Sequence, residues 1–512
     1  MKKFSYILII FFIVSLTGES SFSQVFFADV TDQMGVGSKP EALLCTNHTW
    51  GDYDNDGDLD LFVTYWGTAV NRNVRNLLFR NDGSYFTEVW NSIDNGNYNS
   101  VYAAWADYDN DGDLDLYVVN FYEQDILYEN RLIPDGEGFT NVTSSAGINI
   151  ISEGYETSMA WGDYDGDGFV DIYLCKYSAK NELYHNNGDG SFSRITDVAK
   201  TGDIRDSNGA AWVDYDQDGF LDLYVVNRDQ DSKFYHNNGD GTFTDYSWNT
   251  KLNSTALSRG CFPADYDNDG YIDIFLANIG KNYMYKYNPA TGSFTNIASQ
   301  LGVSNAGNGW DTWGAAWGDY DADGDLDLFV VGGAEDFRIS NAFLENRNIG
   351  GVRLFSDVID NVNVKKAPFY NVSLGTSVSF ADFDNDNDPD LYITGYSVGF
   401  AGSLYNFNRL YQNLKSADGN DFLKVRVKGM GAGHCNTAGI GSKIKVYEAG
   451  TLNLAGYREI MSGSSPLEAI FGLDKTKLYD VEVIFLTAGT PGGKKVKESS
   501  ISPGQVILIE EK

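Results

Sequence analysis

Basic residues, cysteine and histidine are all scarce in this chain of 512 residues, and each scarcity removes a class of function. Only 37 Lys and Arg oppose 72 Asp and Glu, a formal charge of −35. That balance provides no basic surface, which argues against nucleic acid or anionic lipid as a partner. Four cysteines, Cys45, Cys175, Cys261 and Cys435, are too few for a disulfide scaffold, and no C-x-x-C pair offers a thiolate metal site. They read as mostly free, buried thiols. Of the four histidines, His48 and His434 stand alone, while His185 and His236 share one place in a repeat, as scaffold residues do. No H-E-x-x-H, G-x-S-x-G or P-loop pattern occurs. Apolar runs of the ~20 residues needed to span a bilayer are missing too. The one notable run, from about Tyr6 to Leu16, follows Lys2 and Lys3 and precedes the polar stretch Thr17 to Ser23. This is the layout of a secretory signal over residues 1–23, cleaved to leave Gln24 first. It predicts export to the medium, the periplasm or the cell surface without membrane insertion, and a monomer is expected.

Acid, glycine and aromatics are what the chain has in quantity. The 55 Gly with 33 Tyr and 31 Phe suit many short strands joined by tight turns, so an all-β fold is expected. The acid is concentrated in one nine-residue stretch, Asp52-Tyr53-Asp54-Asn55-Asp56-Gly57-Asp58-Leu59-Asp60, which returns seven times at intervals of 51 to 63 residues. Each copy runs straight into an apolar strand. A spacing this long and regular predicts one four-stranded blade per unit, hence a seven-bladed β-propeller.

The stretch has the chemistry of a calcium loop. A hard cation takes several oxygens, and carboxylates at positions one, three, five and nine, with the carbonyl of position seven, supply them around one centre. The predicted ligands are Asp52, Asp54, Asp56, Asp58 and Asp60, then Asp107, Asp109, Asp111, Asp113 and Asp115, then Asp163, Asp165, Asp167, Phe169 and Asp171. The fourth and fifth sets are Asp214, Asp216, Asp218, Phe220 and Asp222, and Asp265, Asp267, Asp269, Tyr271 and Asp273. The last two are Asp319, Asp321, Asp323, Asp325 and Asp327, and Asp382, Asp384, Asp386, Asp388 and Asp390. Up to seven Ca²⁺ are therefore expected, the weakest in the seventh loop, where Asn387 and Pro389 break the pattern. Position six is otherwise glycine, as a left-handed turn prefers. An EF-hand would place a Glu at position twelve, where this chain has Val63, Val118, Leu174, Val225, Leu276, Val330 and Ile393. The flanks are β-branched and aromatic, which is strand rather than helix chemistry.

Two further signatures recur. An aromatic strand ending in Asn (Leu127-Tyr128-Glu129-Asn130, Leu183-Tyr184-His185-Asn186) is followed by a Gly-rich turn and a strand such as Phe243-Thr244-Asp245. Upstream of each loop a small-residue strand closes on Trp50, Trp105, Trp161, Trp212, Trp317 or Phe380, with Pro263 in the fifth copy. The small residues suit crowded inner strands, and the aromatic series suits packing between blades. The last unit has no F-T-D strand of its own, and Phe26 to Thr31 match that type, so residues 26–31 are expected to close the last blade.

The loop followed by L-Y/F-V-V and then N-G-D-G-x-F-T-D resembles the FG-GAP/VCBS repeats of integrin-α-type propellers, over roughly residues 25–413. The resemblance implies calcium on one face of the ring and does not extend to integrin ligand binding. The propeller is expected to fill 24–417, and a small β domain 418–512. That second domain's Gly439-Ile440-Gly441-Ser442-Lys443, Phe471-Gly472-Leu473 and Val481-Glu482-Val483 resemble the ASPIC/UnbV domain of the cartilage acidic protein family, although Leu486-Thr487-Ala488-Gly489 replaces that family's W-P-S-G.

A binding module for an extracellular glycan or protein leads the functional reading. Trp66, Phe121, Tyr122 and Tyr177, just past the strand after the loop, are candidates to stack on sugar rings. A propeller polysaccharide lyase or hydrolase is the alternative, and a passive scaffold the third.

Overall fold

The computed structural model describes residues 26–512 apart from 38–43, 68–74, 90–92, 94–97, 133–137, 149–153, 310, 333–340, 350–351, 365–372, 399–403, 407, 415–419, 488–489 and 491. The expected signal segment lies outside the described residues. Among those described, no helix is long and apolar enough to cross a membrane.

Each acidic loop joins the first two strands of an antiparallel sheet. In the third unit the strands are Tyr155–Gly162, Asp171–Tyr177, Glu182–Asn186 and Phe192–Arg194, paired in that order. Seven sheets of this plan lie among the described residues, and each first strand neighbours the first strands of the sheets before and after it, the last (Ser373–Ala381) meeting the first (Leu44–Gly51). The result is a closed β-propeller. Small residues let its inner strands approach: a Cβ on Gly162 would sit 2.5 Å from the Trp212 ring of the next sheet. The tryptophans are core, as expected. Trp50, Trp105 and Trp161 are buried, and Trp161 and Trp212 donate their indole N–H to Ala104 and Ala160 of the preceding sheets.

The final sheet takes its outer strand from the other end of the chain. Phe27, Ala28 and Asp29 pair antiparallel with Asn413, Gln412 and Tyr411. The strand is shorter than 26–31: it spans Phe27–Asp29, and Thr31–Met34 form one helical turn because the Asp29 carboxylate accepts from both the Thr31 amide and its hydroxyl. All four cysteines are free, Cys45, Cys175 and Cys435 being buried and Cys261 half-buried.

From Asn420 a second, smaller β domain follows. Asn420–Lys428 pairs with Glu468–Asp474 and, in parallel, with Gln505–Glu510, while Lys443–Glu448 pairs with Leu454–Glu459 and Tyr479–Phe485. Alternate apolar residues of these strands, among them Leu423, Val425, Ile444, Val446, Phe471 and Val483, form its core. The domain sits on the loop face of the ring. Its turn Ile460 to Pro466 enters the central channel, where Thr49 Oγ1 donates to Gly463 O at 2.7 Å, Asn47 Nδ2 to Ser464 Oγ at 3.0 Å and the Trp161 amide to Ser462 Oγ at 3.0 Å.

Candidate metal centres

All seven loops are built by one set of hydrogen bonds. The position-six amide donates to the position-one carboxylate at 2.8–3.0 Å, from Gly57 to Asp52 through Asn387 to Asp382. Position six has a positive φ throughout, from 76° at Asn387 to 100° at Gly112 and Gly219. Position four does too, which the sequence reading did not foresee: Asn55, Asn110, Gly166, Gln217, Asn268, Ala322 and Asn385 lie at φ 56–71°. The amides among them reach the next loop, as Asn110 Nδ2 does to Gly168 O at 2.8 Å and Gln217 Nε2 to Gly270 O at 2.6 Å. Asn385 Nδ2 to Asp58 Oδ1, at 2.6 Å, completes the circle. Position-seven side chains thus serve contact between loops at Asp58, Asp113 and Asp325, where Asn385, Asn55 and Asn268 donate to them.

Position nine ties each loop to its own sheet. Its Oδ1 accepts an amide from the third strand, Asn81 on Asp60, Asn186 on Asp171, and in the fifth sheet Tyr287 on Asp273. The side chains of these asparagines clamp neighbouring sheets: Nδ2 of Asn81, Asn130, Asn186, Asn237, Asn346 and Asn413 donates at 2.7–2.9 Å to the position-two carbonyl of the preceding loop. Tyr287 cannot make this bond. Asn186→Ala is expected to cost about 1–3 kcal/mol, because it leaves the buried Tyr108 carbonyl without its donor; the midpoint of urea unfolding measures it.

What remains free in the loops is carboxylate oxygen. Asp54 Oδ1, Asp163 Oδ1, Asp214 Oδ1, Asp222 Oδ2, Asp267 Oδ1, Asp273 Oδ2, Asp382 Oδ1, Asp384 Oδ1 and Asp388 Oδ1 are buried without a hydrogen-bond partner, and all but Asp388, at position seven, belong to positions one, three or nine. Ligand atoms of Asp52, Asp54 and Asp56, of Asp107, Asp109 and Asp115, and of Asp163, Asp165 and Asp167 lie within 4.8 Å of one another. Buried anions at such separations repel, and without a cation they hold protons instead. Burial first, then neighbouring carboxylates, pushes Asp60 up to about 9, Asp107 to about 7 and Asp323 to about 8, with Asp115, Asp163 and Asp390 raised well above the carboxylate range. Oxygen donors with this much unpaired charge fit a hard divalent cation, and in the third and fourth loops a histidine nitrogen, of His185 or His236, also lies within 4.8 Å of two loop carboxylates.

The histidines need a correction. No His lies within a loop in sequence, yet the fold brings two onto loops: His185 Nδ1 is 3.2 Å from Asp171 Oδ1, and His236 Nδ1 is 2.9 Å from Asp222 Oδ1. They project from the third strand, 14 residues beyond the carboxylate, a separation that only the hairpin closes. In the metal-free loop the hydrogen bond to Asp171 raises His185 to about 9. The second domain supplies further partners. Lys443 donates to Asp214, Lys424 forms an ion pair with Asp382, Thr437 Oγ1 donates to Asp107, and the Gly472 amide donates to Asp319 at 2.9 Å. His48 is in the core, bonded to Ser379 at 2.6 Å, and His434 pairs with Glu511.

On the opposite face three of the four candidate stacking residues meet. Trp66, Phe121 and Tyr122 cluster with Tyr155, with ring centroids 4.8–5.8 Å apart and Phe121 stacked on Tyr155. Tyr122 is 60% and Tyr155 39% exposed. Tyr177 is the cross-strand partner of Tyr155, and its hydroxyl accepts from Arg228 at 3.3 Å. Trp66 and Phe121 also line the channel, a cavity of about 710 Å³.

The FG-GAP-like repeat model matches residues 52–118, 107–174, 163–225, 214–276 and 265–330, together more than half of the chain. The chain belongs to the FG-GAP-like repeat family. Curated relatives include cartilage acidic protein 1 of Mus musculus, 25% identical over 255 residues covering 45% of this chain and 38% of that protein. The Homo sapiens protein is 28% identical over 209 residues, covering 38% and 30%. The matched part spans about a third of the length of these relatives. Among solved structures, rhamnogalacturonan lyase YesW aligns with TM-score 0.40 at 14% identity, covering 74% of each chain.

Proposed function

We propose that this FG-GAP propeller is an exported binding module, stiffened by Ca²⁺ in its loops, that takes an extracellular glycan or protein on the face opposite those loops. The observation that carries the reading is the division of the two faces. The second domain covers the loop face and enters the channel from that side, whereas Trp66, Phe121, Tyr122 and Tyr155 gather beside the other end of the channel. Aromatic faces half open to water suit the apolar faces of sugar rings and the aromatic or arginine anchors of protein partners. The loops serve architecture: some of their oxygens hold the turn, their own sheet and the second domain, and Ca²⁺ would take the unpaired ones, which leaves little room for a substrate oxygen.

A glycan and protein array probed with calcium-loaded protein should yield ligands whose signal falls at least tenfold in Tyr122→Ala and Tyr155→Ala, while the melting curve stays put because both side chains are substantially exposed. Binding indifferent to both substitutions would move the ligand elsewhere. Turnover of a polysaccharide or ester, abolished by Asp163→Ala with Asp165→Ala in protein that remains folded, would overturn the binding reading in favour of an enzyme.

A further inference from the structure

The fifth loop differs from the others in what faces it. In every unit the residue just before the end of the third strand projects toward the loop, and its chemistry varies: Arg80, Glu129, His185, His236, Lys286, Glu345 and Gln412. Arg80 turns to Asp82, while Glu129 and Glu345 pair with Arg131 and Arg347. His185 and His236 bond position nine and lie 3.5 and 3.9 Å from the position-three carboxylates of Asp165 and Asp216, and Gln412 donates to Asp384 at 2.6 Å. Lys286 does something else. Its ammonium donates to Oδ2 of Asp267 and, at 2.7 Å, to Oδ2 of Asp269, the carboxylates of positions three and five. Lys443 and Lys424 of the second domain also touch loop carboxylates, but each only at position one of its loop.

We infer that the Lys286 ammonium is the resident cation of the fifth loop and stands where the other loops hold a divalent ion. This rests on the calcium reading of those other loops. A lysine ammonium is a compact point charge with three donors, able to span two carboxylates much as a metal does. Two like charges in one small site repel, so calcium could enter only by displacing the side chain. The fifth unit also departs from the pattern elsewhere, with Pro263 for the inner-strand aromatic and Tyr287 for the clamping asparagine. Of the fifth loop's oxygens, Asp267 Oδ1 and Asp273 Oδ2 lack partners, so removing the ammonium exposes a donor set ready for metal. The weakest calcium site is then the fifth loop, not the seventh as the sequence pattern alone indicates.

Native mass spectrometry of the full chain at low micromolar free calcium tests this, with Lys286→Met beside the parent and Lys286→Arg as the variant that keeps the charge. Lys286 is about one-third exposed, so the fold tolerates the change. The Met variant is expected to carry one calcium more than the parent and the Arg variant the same number. Asp267→Asn with Asp269→Asn should remove the added ion in the Met background and none from the parent. In EDTA the Met variant should melt below the parent, and calcium should restore it. Equal, non-zero counts in parent and Met variant would overturn this inference alone, as would loss of an ion from the parent on the double Asn substitution. No calcium on either chain would overturn both this inference and the calcium reading.

Discussion

In EDTA the protein is expected to melt far below its calcium-loaded midpoint, the largest effect any single reagent should have on it. An extracellular-type site of Kd ~10⁻⁴ M in ~1 mM calcium adds about 1.4 kcal/mol by mass action, so six loops together add about 8 kcal/mol, as much as the whole stability of many domains. The loss should depend on pH with a definite sign. The metal-free carboxylates titrate far above their unfolded value, Asp52 at about 6, Asp265 at about 7 and Asp388 at about 9, because burial disfavours their charge. A carboxylate raised in the folded state contributes stability that is fully present below the unfolded pKa near 3.8 and lost as pH rises through the folded value. In EDTA the melting temperature should therefore fall steadily from pH 5 to pH 9. In saturating calcium, where the ion keeps the carboxylates charged, it should change little over that window. Calorimetry across the two series measures both effects, and a melting curve indifferent to EDTA would falsify the structural-metal reading.

The parts of this molecule legible in its sequence are those fixed by short-range geometry. Asp at positions one, three, five and nine with Gly at six describes a turn that closes on itself within nine residues, so spacing alone is informative. The alternation of small residues in Ala103-Ala104 or Ala315-Ala316 likewise identifies inner strands, because only a crowded ring excludes bulk there. Position four was illegible for a different reason. Asn55 and Asn110 are ordinary turn residues, but Gln217 and Ala322 adopt the same left-handed backbone without the usual preference for it, Gln217 bonded to the next loop and the Ala322 carbonyl to Asn420 of the second domain. The placement of His185 and His236 on loop carboxylates required the hairpin to be known, and the docking of Lys424, Lys443 and Thr437 required the orientation of a whole domain. No local pattern encodes that orientation. The complementarity behind it, an acidic ring facing strands that carry Lys424, Arg426, Lys443 and Lys445, becomes visible only once the domain is docked.

A chain beginning after residue 37 is expected to lose most of its stability even though every acidic loop is intact. The missing segment would remove the outer strand of the final sheet, and with it the amide of Phe27 on Val362 O at 3.2 Å, the amide of Val30 on Leu410 O at 3.0 Å and the Thr31 hydroxyl that accepts from the Leu410 amide at 2.9 Å. It would also remove Phe27, Val30, Met34 and Val36, all buried, with Phe27 packed against Tyr320 and Phe343. At about 1.5–3 kcal/mol for each buried side chain the loss is about 6–12 kcal/mol, enough to unfold a protein of ordinary stability. Any protein that remains folded would expose the edge Arg409–Asn413 to water, a ready template for pairing with another chain. The truncated protein should accordingly melt early and scatter light on standing, and a synthetic peptide of residues 24–37 added in trans should restore part of the midpoint. Removing residues 1–23 alone should do neither. A truncation at residue 37 as stable and as monodisperse as the longer chain would mean that the ring closes without its first strand, and the pairing of Phe27–Asp29 with Tyr411–Asn413 would then be dispensable to the fold.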